Sequence, residues 1–495
     1  MRRLLGVMVA AAGCGDNAQC EPPAELADLP GTGHLIDPYA IPLAGCVDGG
    51  LVDLPGRWFV VAPTEAFSFH YPKYEGTCET GFRRALVPED DHDLTDDGRD
   101  RYTWSDGTRV FSRTSFEPLP DPRQSPYVWV DAFVACVRGD GTLAAAYANF
   151  NSDDNEETVV AAGGTRFGLR DEPAVGLELV GELGTDLGTP IAAFNLAIDG
   201  ARAFVAARPG LFVVDIADPA HPAVLGRYDG SFNDVRVVHA GGKTFAIAAE
   251  AYATHIIDVT EPARPVLARM LPYSHSVQVV GTDLYLANYT QQVPRYDLTN
   301  PLEPVLTGNA TVPGQGAVHD LTVDGDRLLV NDTTAGLVAI DVRSYELPVE
   351  LGRVKSSYSH ASAVGTLSSG RRIILTGDEG MTGTPELGAH LTILDGDPSS
   401  PTYLETLGTY QSRREVGIHN IELVGDRAYI AYYQDGLRVI DLADPRLPRE
   451  IAHYNTWNPD TAQGSAFEGA LGVRVANGLV YVADDLRGLV ILREP

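Results

Sequence analysis

The dominant pattern along the chain is a recurring unit of short alternating or apolar segments separated by tight turns. In one copy, residues 319–323 alternate apolar and polar side chains, Asp324-Gly325 supplies a turn, and residues 327–330 return as a second segment. A third, apolar segment spans 336–341, and a proline-bounded turn leads into a fourth. Alternation is typical of a half-buried strand, and Asp-Gly between two such segments indicates a hairpin. Each unit therefore predicts four antiparallel β-strands.

The unit recurs six times, and the third strand of each copy ends in an aspartate. These aspartates are Asp215, Asp258, Asp297, Asp341, Asp395 and Asp441. Their spacing of roughly 40–55 residues is typical of propellers and other repeat arrays. The following turns carry Asp-Pro or a variant, in which the acid caps local N–H groups and proline ends the ladder. A lone four-stranded sheet cannot bury both faces, so the units are expected to stack in a closed ring.

The ends of the repeat region predict how the ring closes. After the sixth unit, residues 471–477, 479–483 and 488–492 supply three further strands. The missing outer strand is expected at 177–181, before the first inner strand at Phe194. Pairing the two ends leaves no open edge in the ring. The sequence therefore predicts an all-β fold with a seven-bladed β-propeller at 176–495, whose last blade is completed by an N-terminal strand.

The repeats resemble a known family. Units such as 210–215 followed by Asp218-Pro219, and 436–441 followed by Asp444-Pro445, are similar to LVIVD repeats. The family consists of extracytoplasmic repeats that form β-propellers, and the resemblance covers residues 176–495. It implies the architecture but no settled activity, because propellers support both enzymes and binding scaffolds.

A small N-terminal β domain is expected at 21–168. Strand-like segments at 58–61, 109–111 and 127–130 are separated by Gly, Asp and Pro turns. Gly56-Arg57-Trp58 is similar to the G-x-W opening of lipocalin-like folds, although a plain core tryptophan is the alternative. In an oxidising compartment, four cysteines with no zinc spacing predict two disulfides, with three pairings open. These cysteines are Cys20, Cys46, Cys78 and Cys136.

The first residues predict export. Arg2 and Arg3 precede a short apolar run, too short to span a bilayer, that ends at Ala11-Ala12-Gly13-Cys14. This ending resembles a bacterial lipobox, so we expect a signal peptide at 1–13, lipidation of Cys14 and a tether at 14–20. The lipid would be the protein's contact with the membrane, at the outer membrane or the periplasmic face of the cell envelope. An ordinary cleaved secretory signal is the alternative.

Composition narrows the possible partners. The formal net charge is −30 and the sequence pI is near 4.6. Such a field repels phosphate backbones, which argues against nucleic-acid binding. We expect a monomer whose partner is a protein, peptide or glycan.

Four histidines occupy the same position in four consecutive blades. They are His275, His319, His360 and His419, at the start of the inner strands. Imidazoles at one mouth of the channel could hold a metal or an anionic ligand. Strand alternation, however, turns His275 to the face of Val277 and Val279, toward the adjoining blade, and blade spacing is expected to keep the rings apart. The alternative role is a hydrogen bond that fixes each blade junction, and the expected cofactor content is none.

Two insertions interrupt the repeats and supply candidate binding loops. Residues 377–389 lengthen the fifth blade, and 455–469 join the sixth to the seventh. Loops on a rigid scaffold often carry binding residues. The candidates there are Asp378, Glu379, Tyr454, Trp457 and Phe467.

Two functions follow from the sequence. Nucleophile-elbow, zinc-protease and dinucleotide-binding motifs are absent. The first expectation is therefore a tethered binding or scaffold protein without catalytic activity. The second is an extracytoplasmic metal-assisted hydrolase or oxidoreductase that uses the histidine-bearing mouth.

Overall fold

A computed structural model describes two units of the chain. The described residues are the strands of the N-terminal region with 45–47 and 138–140, and then 173–494. Within the second range, 185–190, 251, 315, 334, 357, 380–390, 414–415 and 459–466 are not described. Every regular element in the described residues is a β-strand. No helix long and apolar enough to cross a membrane occurs in this part of the chain.

The N-terminal unit is an eight-stranded antiparallel meander. Its strands are β1 (Arg57–Ser68), β2 (Phe82–Leu86), β3 (Asp91–Leu94), β4 (Arg99–Ser105), β5 (Arg109–Phe116), β6 (Trp129–Val137), β7 (Leu143–Asn151) and β8 (Glu156–Phe167). The order is β2-β1-β8-β7-β6-β5-β4-β3, so the first strand pairs with the last. Cys46 and Cys136 form a disulfide, whereas Cys14, Cys20 and Cys78 lie outside the described residues. The prediction of a disulfide-containing β domain is confirmed.

The second unit consists of seven four-stranded sheets. The first three blades contain β10 (Ala192–Asp199), β11 (Arg202–Arg208), β12 (Gly210–Asp215), β13 (Ala223–Asp229); β14 (Phe232–Ala240), β15 (Lys243–Glu250), β16 (Thr254–Asp258), β17 (Val266–Leu271); and β18 (Ser276–Val280), β19 (Asp283–Ala287), β20 (Gln292–Asp297), β21 (Val305–Thr311). The next three contain β22 (Val318–Asp324), β23 (Arg327–Asp332), β24 (Gly336–Asp341), β25 (Val349–Val354); β26 (Ser359–Thr366), β27 (Arg372–Asp378), β28 (Leu391–Asp395), β29 (Thr406–Tyr410); and β30 (Ile421–Val424), β31 (Arg427–Ala431), β32 (Leu437–Asp441), β33 (Arg449–Tyr454).

The seventh blade joins the two ends of the propeller, as predicted. It contains β34 (Ala470–Ala476), β35 (Leu479–Asp484), β36 (Gly488–Arg493) and, as its outer strand, β9 (Glu178–Leu183). Strand β9 pairs antiparallel with β36, and Gly181 faces Ile491. A side chain at Gly181 would collide with the carbonyl oxygen of Pro219 in the first blade. The closing strand therefore packs tightly against the next blade, and the seven-bladed prediction is confirmed.

Burial explains why the third strand of each unit is continuously apolar. In β24, every residue from Gly336 to Ile340 is buried, because both faces pack against neighbouring blades. The outer strand β25 alternates between exposed and half-buried residues. Strand-ending aspartates stop the ladder: Asp341 Oδ1 accepts a hydrogen bond from the backbone N–H of Arg343 at 2.9 Å. The same contact recurs from Asp215 to Ala217 N at 2.9 Å, which is the capping role expected of these aspartates.

A group of buried carboxyls lies in the seventh blade and in the residue pair just before its first strand. Glu468 and Asp484 are almost fully buried. Burial, reinforced by the charge of Asp484, raises the pKa of Asp485 to about 9. Asp485 Oδ1 accepts a hydrogen bond from Gly469 N at 2.6 Å. Several acids in one apolar region cannot all ionise without cost, so the folded state retains a proton here that the unfolded chain loses.

This retained proton predicts that stability falls as pH rises. The pKa of Asp485 is higher in the folded state than in the unfolded chain. Its cost to the free energy of unfolding is therefore absent below the pKa of the unfolded chain and grows as the pH rises to about 9. Asp485→Asn keeps the acceptor for Gly469 and removes the charge, so it should stabilise the protein at pH 8 by about 2 kcal/mol and by much less at pH 5. Urea denaturation at both pH values measures this difference. Asp326→Asn, at an exposed turn residue, is the control; equal effects from the two variants would contradict the prediction.

Candidate functional site

The inner strands of the propeller share an irregularity at one position. In β22 the register shifts between Val318 and Asp320, so His319 has no partner on β23 and forms a β-bulge. His360 is skipped in the same way in β26. Phe194, Asn233 and Leu471 are the skipped residues of β10, β14 and β34. A bulge redirects the side chain of its extra residue, so five of the blades deliver one side chain out of the normal alternation, and His275 and His419 precede the inner strands of the other two.

The four histidines form a continuous arc of rings in contact. Ring centroids are 4.3 Å apart for His275 and His319, 4.3 Å for His319 and His360, and 4.1 Å for His360 and His419. His319 and His360 are 3% exposed, whereas the two outer histidines are half-buried. Imidazoles from blades three to six therefore converge on one small region.

This geometry corrects one expectation drawn from the sequence. The bulges at His319 and His360 interrupt the alternation of their strands, whereas the strand that follows His275, for which the alternation was argued, has no bulge. Blade spacing was expected to keep the rings apart, but neighbouring rings stack within 4.3 Å. The inner ends of the blades converge, and a bulged residue there has the reach that a regular strand residue lacks.

The junction role is seen for one of the four histidines. His419 Nδ1 lies 2.8 Å from the carbonyl oxygen of Leu471 in the next blade, so Nδ1 carries the proton and Nε2 has a free lone pair. By contrast, Nδ1 of His319 and Nδ1 of His360 are buried without any hydrogen-bond partner. Two unpartnered nitrogens in one buried cluster call for an explanation, and an ion bound at the cluster is one.

All four imidazoles are held neutral. Burial lowers the pKa of His275 to about 4 and that of His419 to about 3. Burial and the neighbouring histidines hold the pKa of His319 and of His360 well below the usual value. A neutral imidazole offers a lone pair, which is the state that a metal ion requires.

A second ring of side chains lies beside the bulges. In each blade, the residue that follows the bulge position pairs with a residue of the second strand. The residue two positions after that partner belongs to this second ring, which we call the mouth ring. In the described blades its members are Arg208, Tyr289, Thr333, Glu379, Tyr433 and Asp485. Tyr289 lies 4.7 Å from His275 and Tyr433 lies 5.3 Å from His419, as ring centroids. Both tyrosines have positive φ, a strained conformation that often occurs at functional sites.

Glu379 brings a carboxylate to the histidines. Its Oε2 lies 3.7 Å from His360 Nε2, and its side chain is 7% exposed. The hydroxyl of Tyr433 donates to Oε1, which orients the carboxylate. The sequence placed Glu379 in a binding loop, and the structure places it in direct reach of the imidazole arc.

Two sets of ligand atoms are close enough to share an ion. One is formed by His275, His319 and His360, and the other by His360, Glu379 and His419, with ligand atoms within 4.8 Å of one another in each set. Two nitrogens bound to one tetrahedral zinc ion at 2.0–2.1 Å lie about 3.4 Å apart, so the ligand atoms of each set must move closer to one another on binding. His360 belongs to both sets.

Hydrogen bonds beneath the arc hold the inner strands together. Asp234 accepts from Asn195 Nδ2 at 2.7 Å, from Ser276 Oγ at 2.9 Å and from the backbone N–H of Val277 at 3.0 Å. Ser276 Oγ also lies 2.7 Å from Asp320 Oδ1. These contacts link blades one to four directly beside the bulges, which fixes the positions of the histidines.

The remaining predicted loop residues are placed in varied surroundings. Asp378 accepts a hydrogen bond from the backbone N–H of Tyr358 at 2.9 Å. Trp457 is 2% exposed and donates to Glu468 Oε2 at 2.9 Å, so it packs inside its loop. Tyr454 ends β33, and Phe467 meets the ring of Tyr433 at 5.6 Å. Phe467 thus extends the aromatic wall beside the arc.

Sequence reasoning named one member of the mouth ring, Glu379, and missed the others and the ring itself. Its members differ in residue type, so no repeated letter reveals them in the way that the aligned histidines are revealed. The available signal was positional, because each lies two residues after the second-strand partner of the residue that follows the bulge position.

Fold and site together define the class: a seven-bladed β-propeller with a histidine arc at one mouth. Two segments, 192–230 and 418–456, match the LVIVD repeat, which places matched repeats in the first and sixth blades. The resemblance to an LVIVD-repeat propeller is therefore confirmed.

Solved structures with a similar fold differ widely in sequence. BamB from Moraxella catarrhalis has a TM-score of 0.42 and 11% identity, over 64% of this chain and 97% of BamB. The computationally designed Ika8 protein has the same TM-score and identity, over 64% of this chain and all of its own. Curated proteins gave no significant sequence match.

Proposed function

We propose that this protein binds one transition-metal ion at the mouth of its propeller and acts as a metal-dependent enzyme of the cell envelope. The observation that supports this is the arc of four neutral imidazoles, contributed by four consecutive blades and in mutual contact. Four such groups in one buried region are costly unless something shared satisfies their lone pairs.

The donor set favours particular ions. Imidazole suits zinc, copper, iron and nickel, whereas calcium and magnesium require oxygen ligands. The Glu379 carboxylate would neutralise one charge of a divalent cation, while the neutral imidazoles donate lone pairs, which supports binding in a buried setting. No cysteine lies in the propeller, so thiolate ligation from this unit is excluded.

The arc is contributed by blades three to six, so its ligands would hold an ion from one side. Blades seven, one and two carry Leu471, Phe194 and Asn233 at the bulge position, and none of these is a strong metal ligand. A metal held from one side with a coordination position left open is the arrangement of catalytic rather than structural sites. The reaction class we propose is therefore metal-assisted hydrolysis or oxidoreduction, and the identity of the ion decides between them.

The scaffold function expected from the sequence also remains a proposal. The rigid propeller that it requires is present. The lipid anchor at Cys14 and the envelope location belong to the same proposal, and Cys14 lies outside the described residues. To test for a protein, peptide or glycan partner, the immobilised protein would be used to capture binding partners from an envelope extract. The histidine arc favours the metal function because a scaffold does not need it.

Metal analysis tests the proposed function. The protein, purified without a histidine tag, should carry or take up about one equivalent of zinc, copper or iron per chain. Saturating metal at about 1,000 times the dissociation constant stabilises the folded state by ~4 kcal/mol, so the melting temperature should rise by several degrees. A chelator should reverse the rise. Absence of bound metal, together with melting that neither metal nor chelator changes, would contradict the function.

A further inference from the structure

The two candidate ligand sets at the histidine arc differ in chemistry. One set, His275, His319 and His360, offers three neutral nitrogens. The other, His360, Glu379 and His419, offers two nitrogens and a carboxylate oxygen, and we call it the mixed set. His360 is common to both, so a single ion uses one set or the other. The contacts around each set indicate which of them already has its ligand atoms oriented.

Hydrogen bonds orient two of the three members of the mixed set. Nδ1 of His419 donates to the carbonyl oxygen of Leu471 at 2.8 Å, which directs the lone pair of Nε2 away from that carbonyl. The hydroxyl of Tyr433 donates to Oε1 of Glu379, and the other carboxylate oxygen, Oε2, is the one that lies near His360. A hydrogen bond of this kind to the outer atom of a ligand fixes the direction of the ligand and is typical of metal sites.

The distance between Glu379 and His360 suits two ligands of one ion. Oε2 and Nε2 are 3.7 Å apart, which is too long for a hydrogen bond but close enough for both atoms to approach a common ion. The two side chains are 7% and 4% exposed. A divalent cation between them would bind both lone pairs and counter the buried negative charge.

The three-histidine set has less support in the described residues. No hydrogen bond to another described residue orients a ring nitrogen of His275 or His319, and Nδ1 of His319 is buried without a partner. Tyr289 packs against the ring of His275, with centroids 4.7 Å apart. Three neutral nitrogens also bring no negative charge to balance a divalent cation in a buried region. The mixed set is therefore the better oriented and the better balanced in charge.

From these contacts we infer that the ion at the arc is held by His360, Glu379 and His419. The hydroxyl of Tyr433 positions the carboxylate, and His319 packs against the ligand His360 without binding the ion. Two histidines and one carboxylate hold catalytic zinc in metallohydrolases and iron(II) in oxygenases, and three protein ligands leave a coordination position for water or substrate. This inference rests on the proposed function, because it assigns the ligands of the metal site proposed there.

Substitution of one member from each set distinguishes the two sets. In the full-length protein, Glu379→Gln should raise the dissociation constant for zinc at least about 100-fold, because it removes a charged ligand and keeps the shape of the side chain. His319→Gln should change that constant by less than about threefold, below the effect of a residue that orients a ligand. Competition with a chromophoric chelator measures both constants, and circular dichroism of the metal-free variants checks their folding.

A pair of tyrosines tests the positioning role. Tyr433→Phe removes the hydroxyl that orients Glu379 and should weaken zinc binding about tenfold or more. Tyr289→Phe is the matched control, because Tyr289 has the same mouth-ring position in its blade and contacts His275, so zinc binding should not change. With cobalt in place of zinc, Tyr433→Phe should alter the visible absorption of the metal and Tyr289→Phe should not. Equal effects of the two variants would contradict the role of Tyr433.

The outcomes separate this inference from the proposed function. If the parent protein binds zinc and Glu379→Gln keeps the parent affinity, or His319→Gln loses as much affinity as Glu379→Gln, the assignment of the mixed set is overturned and the metal function stands. If the parent protein binds neither zinc nor cobalt, the metal function and the assignment both fail.

Discussion

Alanine in place of His360 should lower the affinity for the bound metal by at least about 100-fold. His360 belongs to both sets of candidate ligands and is the histidine closest to the carboxylate of Glu379. Loss of an imidazole removes a coordination bond and leaves the remaining ligands unable to surround the ion, so the effect exceeds that of a second-sphere change of 10–100-fold. Competition with a chromophoric chelator measures the dissociation constant directly.

The control for this variant is a histidine of the same propeller outside the arc. His221 is exposed and pairs with Asp218 in a surface turn, so His221→Ala should not change metal affinity. His360→Gln keeps a polar group of similar size and should lose metal as His360→Ala does, which excludes a mere packing defect. Retention of full metal affinity in both His360 variants would show that the arc is not the binding site.

A single methyl group added at Gly336 should destabilise the propeller by about 3 kcal/mol or more. Gly336 begins the third strand of its blade with φ of 84°, a conformation that costs an L-residue about 1–2 kcal/mol. The new Cβ would also collide with the carbonyl oxygen of Val354 on the fourth strand, so the strand pair must separate. Urea denaturation of Gly336→Ala against the parent measures the loss.

Gly325 provides a comparison with the same backbone conformation and free space around it. Its φ is 62° and no atom would lie within 4 Å of an added Cβ. Gly325→Ala should therefore cost only about 1 kcal/mol, the backbone contribution alone. An equal loss of stability at the two positions would show that the close approach of Val354 does not add to the cost of a side chain at Gly336.

Much of the fold could be predicted because every repeat shows the same order of strands and turns. The buried third strand reads as an apolar run ending in an aspartate such as Asp341, and the turn chemistry follows directly. Ring closure by β9 could be predicted because three strands at the C-terminal end lack a fourth. The pairing of Cys46 with Cys136 could not, since four cysteines without further constraint allow three pairings.

The candidate site could be predicted only in part. Alignment of the blades identified the four histidines, since they occupy one repeat position. The bulge at His319, which adds a residue to one strand, could not be predicted because no residue type in the sequence signals it. The mouth ring, with Arg208 and Tyr433, depends on how the chain leaves the second strand, which is a property of tertiary packing. The position in the repeat therefore identifies which residues belong to the site, whereas the local backbone determines the direction of their side chains.

The claim that imidazoles of the arc bind one ion is tested most directly by X-ray absorption spectroscopy of the zinc-loaded protein. We predict a first shell dominated by nitrogen at about 2.0–2.1 Å, with the outer-shell scattering of the two or three imidazole rings of one ligand set. His360→Ala should reduce that outer-shell scattering. A first shell of oxygen alone, or one with fewer than two imidazoles, would contradict the account.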